Sequence, residues 1–124
     1  MEFVKTDRAP AAIGPYSQAV KINGLVYTSG QIALRPDGSM VEDDVVLQTE
    51  QVFENLRAVL KEAGSSPDQV VKVMAFVADI NDFATVNEIY AKAFGEHKPA
   101  RSLVAAKTLP KNALVEIEVI AVCS

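Results

Sequence analysis

The chain contains one cysteine and one histidine, and that scarcity removes several chemistries. Cys123 has no second thiol, so an intramolecular disulfide and a dithiol redox pair are both excluded, and no Cys/His cluster is available for a structural zinc. The expectation is a reduced cytoplasmic protein with no metal site. There is no basic excess either: 12 Lys and Arg face 16 Asp and Glu, for a net charge of −4. Binding to a phosphate backbone is driven by basic side chains, so this balance argues against a nucleic-acid partner. No apolar run approaches the roughly 18 residues of a membrane helix. Residues 1–8 have neither the apolar centre nor the cleavage site of a secretory signal, so no membrane association is expected. Six glycines and six prolines are too few for a collagen-like or low-complexity chain. What remains is a globular composition, 49% apolar and 23% charged over 124 residues. With no linker, charge block or repeat, residues 1–124 read as one domain.

The periodicity is mixed. Two prolines and a glycine bar a helix from Pro10 to Pro15. Asn23-Gly24 separates Gln18–Ile22 from Leu25–Ser29, and both turn residues tolerate positive φ, which predicts a type I′ hairpin. Gln31–Leu34 reads as a short strand, stopped by Arg35-Pro36-Asp37-Gly38. From Val45 to Ala63 the apolar positions follow a helical period, with Gly64 placed as a left-handed cap. Val70–Asp79 alternates as a strand with both faces mostly apolar. A second helix starts near Asn81 or Asp82 and buries Phe83, Val86, Tyr90, Ala93 and Phe94. Ser102–Ala106 and Val115–Val122 are the last strands. The order implies an α+β fold, a mixed sheet with two helices on one face. The opposite face stays rich in Val, Ile and Met. A chain of this size has no second layer to cover it, so a homo-oligomer with sheets packed together is expected.

Two residues invite chemistry. Arg101 opens a strand just after a proline, where its planar fork could grip a carboxylate with two parallel hydrogen bonds. The competing reading is a surface or interface ion pair. On the last strand neither face is cleanly polar, so Glu116 or Glu118 is carried towards covered surface, where ionisation is costly without a cation or donors. The competing reading there is a solvated strand edge. Tyr16 could present a phenol at a rigid turn or simply fill the core's edge. Ser29-Gly30 could admit a close backbone approach by a ligand, or merely end a strand. Asn87 reads as a bridging or capping amide, His97 as solvated and Cys123 as a spectator. No Ser-His-Asp order, phosphate loop or metal spacing is present.

Several segments, in order and at matching intervals, resemble the Rid family of reactive enamine and imine deaminases, also called YjgF-like proteins. They are Ala9–Ala19, Thr28–Ile32, Gln48-Thr49, Asn55-Leu56, Val77–Asp79, Phe83–Asn87 with Tyr90, Pro99-Ala100-Arg101-Ser102, and Leu109-Pro110 followed by Val115-Glu116-Ile117. The likeness covers essentially the whole chain. It implies a chorismate-mutase-like fold and a homotrimer with sheets inward, helices outward and ligand sites in the clefts between subunits. It implies that Arg101 binds the substrate carboxylate and that Glu116 positions or activates water and moves protons. Tyr16, Ser29 and Gly30 would line the cleft, with Asn87 and Tyr90 as supports.

Leu103 stands where many Rid sequences carry cysteine, so no thiol acts there, although the backbone of residue 103 can still bond ligand or water. The implied reaction is hydrolysis of 2-aminoacrylate, 2-iminopropanoate or 2-iminobutanoate to 2-keto acids and ammonia, with no metal or cofactor required. Three rivals remain at this level: a non-catalytic trimer that binds keto acids or other small carboxylates, an RNA-directed ribonuclease or translation inhibitor, and a chaperone-like surface role.

Overall fold

A computed structural model describes residues 1–124. Six strands form one sheet: β1 (Glu2–Val4), β2 (Ala19–Ile22), β3 (Leu25–Thr28), β4 (Val70–Val77), β5 (Ala100–Ala105) and β6 (Val115–Val122). The spatial order is β1-β2-β3-β6-β4-β5, and only the β4–β5 pair is parallel. That parallel pair requires a crossover, supplied by α2 (Phe83–Phe94). The first helix, α1 (Val45–Glu62), lies beside it. The expected α+β layout of a mixed sheet with two helices is therefore present.

Local chemistry accounts for most boundaries. Asn23 and Gly24 take φ of 53° and 77°, as the β2–β3 hairpin requires. The Asp44 carboxylate accepts from the Leu47 amide at 3.0 Å and caps α1. Gly64, at φ 79°, follows the end of that helix. At α2 the capping differs from expectation. Asp79 accepts from the Asn81 amide and opens a single 3-10 turn, and neither Asn81 nor Asp82 caps the helix with its side chain.

Two strand assignments are corrected. Glu2–Val4 pairs with β2 although nothing in its three residues signals a strand. Gln31–Leu34 is not a strand. Gln31 makes one bridge to Ile117, and the chain then turns so that the Leu34 amide donates to the Ile32 carbonyl. The carbonyls of Ile32 and Leu34 accept from the buried Asn55 amide on α1, which takes the place of a neighbouring strand. Gln48, fully buried about two turns earlier, similarly bonds the backbone at Val41, Glu42 and Leu114. These amides fasten loops to the helix.

Alternation divides the sheet into two faces. Val73, Ala75 and Val77 on β4 and Val115, Ile117, Val119 and Ala121 on β6 are buried beneath the helices. There they meet Val52, Leu56, Val59 and Leu60 of α1 and Val86 of α2 in one core. Each fully buried Val, Leu or Ile side chain there contributes about 1.5–3 kcal/mol. On the other face a row runs through Phe3, Val20, Tyr27 and Ile120, and further along lie Met74, Phe76 and Val104. Phe3 is 70% exposed, Val104 47% and Tyr27 42%. The apolar open face anticipated from the sequence is thus present.

Candidate functional site

The last strand carries Glu116 on the open face, opposite Phe76 of β4. Two loops close around it. The Ser29 hydroxyl donates to the Ser17 carbonyl and the Ser29 amide to Gln18, which fastens the Tyr16 loop to the end of β3. Gln31 and Ile117 exchange both backbone hydrogen bonds, which lays Gly30 directly against the Glu116 side chain. A Cβ on Gly30 would come within 2.9 Å of the Glu116 carboxyl carbon. Glycine leaves room there for the chain's own carboxylate, which a Cβ would displace from its present position. The result is a cleft of about 440 Å³ lined by Tyr16, Ser29, Gly30, Lys111 and Glu116 among others. Burial pushes the Glu116 carboxyl above its usual range, and the neighbouring charge of Glu118 adds to the shift. Glu116 is half-buried and has no ion-pair partner within the chain; the ion pair in the structure is Arg35–Glu42, at 3.8 Å.

Arg101 occupies a different place. In the parallel register it is the partner of Val73, so it lies on the helix-covered face at the β5 edge. Its Nη1 donates to Asn87 Oδ1 at 2.7 Å. The guanidinium carbon sits 4.7 Å from the Tyr90 ring centre and 5.6 Å from that of Phe83. Phe83, Asn87 and Tyr90 fall at i, i+4 and i+7 of α2, so one helical stripe meets the arginine. No carboxylate pairs with it, so the ion-pair reading does not hold within the chain. Arg101 opens onto a cavity of about 420 Å³ whose lining also includes His97, Lys98 and Pro99. The Tyr90 hydroxyl is buried with no hydrogen-bond partner. Burial raises the pKa of that phenol, and Arg101 opposes the shift. Leu103 lies two residues further along the same face, beside Ala75, packed against the core.

The sequence-predicted residues therefore fall into two groups. Tyr16, Ser29, Gly30 and Glu116 share one cleft, while Asn87, Tyr90 and Arg101 share another. One chain does not bring Arg101 and Glu116 together. Their β4 partners, Val73 and Phe76, are three residues apart, and Arg101 lies two strands from Glu116. Strand geometry then puts their Cα atoms about 14 Å apart, with the side chains on opposite faces.

Phe83 and Lys111 were not anticipated as site residues. The helical spacing 83, 87, 90 could have pointed to Phe83. Nothing in the sequence marks Lys111, whose left-handed φ of 56° places it at the Glu116 cleft. His97, read from the sequence as solvated, is half-buried: its Nε2 lies 2.6 Å from the Val70 carbonyl, tying the end of α2 to the start of β4. Cys123 is buried. No three His, Cys, Asp or Glu side chains converge as metal ligands.

Residues 6–123 match the family model described as Endoribonuclease L-PSP. Reactive Intermediate Deaminase A, chloroplastic, of Arabidopsis thaliana is 51% identical over 121 residues, covering 97% of this chain and 65% of that protein. A crystal structure from Yersinia pestis, described as the Rid-family protein YyfA, is 51% identical with a TM-score of 0.96, covering 98% of both chains. A crystal structure of Escherichia coli TdcF with bound serine is 44% identical with a TM-score of 0.94, covering 100% of both.

Proposed function

The chain belongs to the YjgF/Rid family, and from that membership we propose that it hydrolyses reactive 2-imino acids to 2-keto acids and ammonia. The substrates proposed are 2-aminoacrylate, 2-iminopropanoate and 2-iminobutanoate. The observation that carries the reading is Arg101, an arginine that no carboxylate within the chain neutralises, opening onto a cavity with room to admit a small acid. A fixed guanidinium holds the substrate carboxylate and turns encounter into orientation. Glu116 supplies the proton chemistry. As a carboxylate it takes a proton from water while the water oxygen bonds to C2 and the C=N π pair moves to nitrogen. Glu116 returns that proton to the nitrogen; the new hydroxyl then gives up its proton to the nitrogen, its O–H pair closes the C2=O bond and the C–N bond breaks, leaving the keto acid and ammonia. For 2-aminoacrylate, protonation at C3 first converts the enamine to the imine. The raised pKa of Glu116 suits a group that both accepts and returns a proton.

The separation of Arg101 from Glu116 within one chain supports a working site at a subunit interface. We place the chains in a homotrimer with their open sheet faces inward. That arrangement covers Phe3, Tyr27 and Val104 and lets Arg101 of one subunit meet the Glu116 cleft of the next. A cytoplasmic setting belongs to the same proposal, supported by a single cysteine that forms no disulfide.

The binding-only alternative draws on the E. coli relative, which holds serine, a small carboxylate. The two separate in one assay. Imines are generated in situ by an amino-acid oxidase or a threonine dehydratase, with semicarbazide competing for them. The proposed enzyme accelerates release of 2-oxobutanoate and ammonia and lowers the semicarbazone yield, and Arg101→Ala abolishes the acceleration. Clearance by wild type at the uncatalysed rate leaves a binding protein.

A further inference from the structure

We propose that Asn87 makes the Arg101 cavity selective for carboxylate ligands, because it aligns the guanidinium without cancelling its charge. The inference rests on the carboxylate-binding role given to Arg101 above and concerns what sets that role up. Asn87 Oδ1 takes one Nη1 hydrogen of Arg101 at 2.7 Å, and Tyr90 and Phe83 lie against the guanidinium. Position and plane are thereby held by one neutral acceptor and two rings. The unpaired Tyr90 hydroxyl indicates that this tyrosine acts here through its ring face.

The surrounding charges agree. Within one chain the cavity lining carries Arg101 and Lys98 and no acidic side chain, although the net charge of the chain is −4. A locally cationic hollow in an acidic protein favours an anion. An aspartate at position 87 would be nearly isosteric and would make the same hydrogen bond. It would also be an ion-pair partner, so the fork would be neutralised before any ligand arrived. Asn87 is thus a positioning residue that acts through Arg101, and the neutrality of its amide is the property that matters.

The test compares two ligands of one shape and different charge, 2-oxobutanoate and its uncharged amide 2-oxobutanamide. Calorimetry is run on the wild-type protein and on Asn87→Asp, with oligomeric state and Tm as controls. Asn87→Asp is expected to lose affinity for the carboxylate by about tenfold or more, the scale of one charge-assisted hydrogen bond, and to keep its affinity for the amide. Equal loss for both ligands, as a merely structural role would give, overturns the proposal, as does undiminished carboxylate binding. If Asn87→Asp does not assemble, Asn87→Ala carries the test. An unaligned fork weakens the carboxylate selectively, and a parallel loss for the amide overturns the inference. Wild-type protein that binds no 2-oxobutanoate overturns both this inference and the proposed function, whereas tight wild-type binding unaffected at Asn87→Asp overturns this inference alone.

Discussion

Glu116 meets opposing demands within a few ångströms. Gly30 presses against it, burial disfavours its charge, and Glu118 on the same face adds repulsion. Its pKa is therefore raised, and the sign of two consequences follows. The neutral form is the one the fold favours, so the stability this group contributes is present below the usual carboxylate range. It is lost as pH rises through the raised value. Activity runs the other way, because the proposed base must be ionised, and turnover should rise with pH through that same raised value. Glu118→Gln removes the repelling charge and should shift the acidic limb of the kcat–pH profile to lower pH. An unmoved limb in that variant would mean that a group other than Glu116 titrates in the rate.

The elements were legible where a single residue or a simple period sets them. Asn23-Gly24 dictates the hairpin and the apolar stripe of Val52, Phe53, Leu56, Val59 and Leu60 dictates α1. The Asp44 cap can be tested at this scale: Asp44→Ala leaves the Leu47 amide without its acceptor and should cost about 1 kcal/mol in urea unfolding. Gln31–Leu34 looks like a strand in its four residues, but after Gln31 pairs with Ile117 the carbonyls of Ile32 and Leu34 go to Asn55, 21 positions away from Leu34. β1 was missed because three residues carry no period, and their pairing is set by β2. The left-handed Lys111 was invisible because nothing in lysine's own preference points to that conformation, whereas Asn112 is of a type that enters it readily.

At the scale of the molecule, the sequence pointed to Arg101 and Glu116 but could not say how they are disposed. That depends on register. Arg101 aligns with Val73 and Glu116 with Phe76, and a shift of one residue in either strand would exchange faces. Because the two lie on opposite faces, the proposed reaction requires two chains at every site. Arg101→Ala and Glu116→Gln should each be inactive as pure oligomers. Unfolded together in equal amounts and refolded, they should form mixed oligomers of the proposed ring, in which some interfaces pair an intact Arg101 with an intact Glu116. Random assembly around a closed ring makes about one interface in four complete. The decisive measurement is the rate of 2-oxobutanoate release from 2-iminobutanoate by that mixture. The account predicts recovery of about a quarter of the wild-type rate, since one interface in four is complete in a cyclic oligomer. A mixture as inactive as its two components would contradict it.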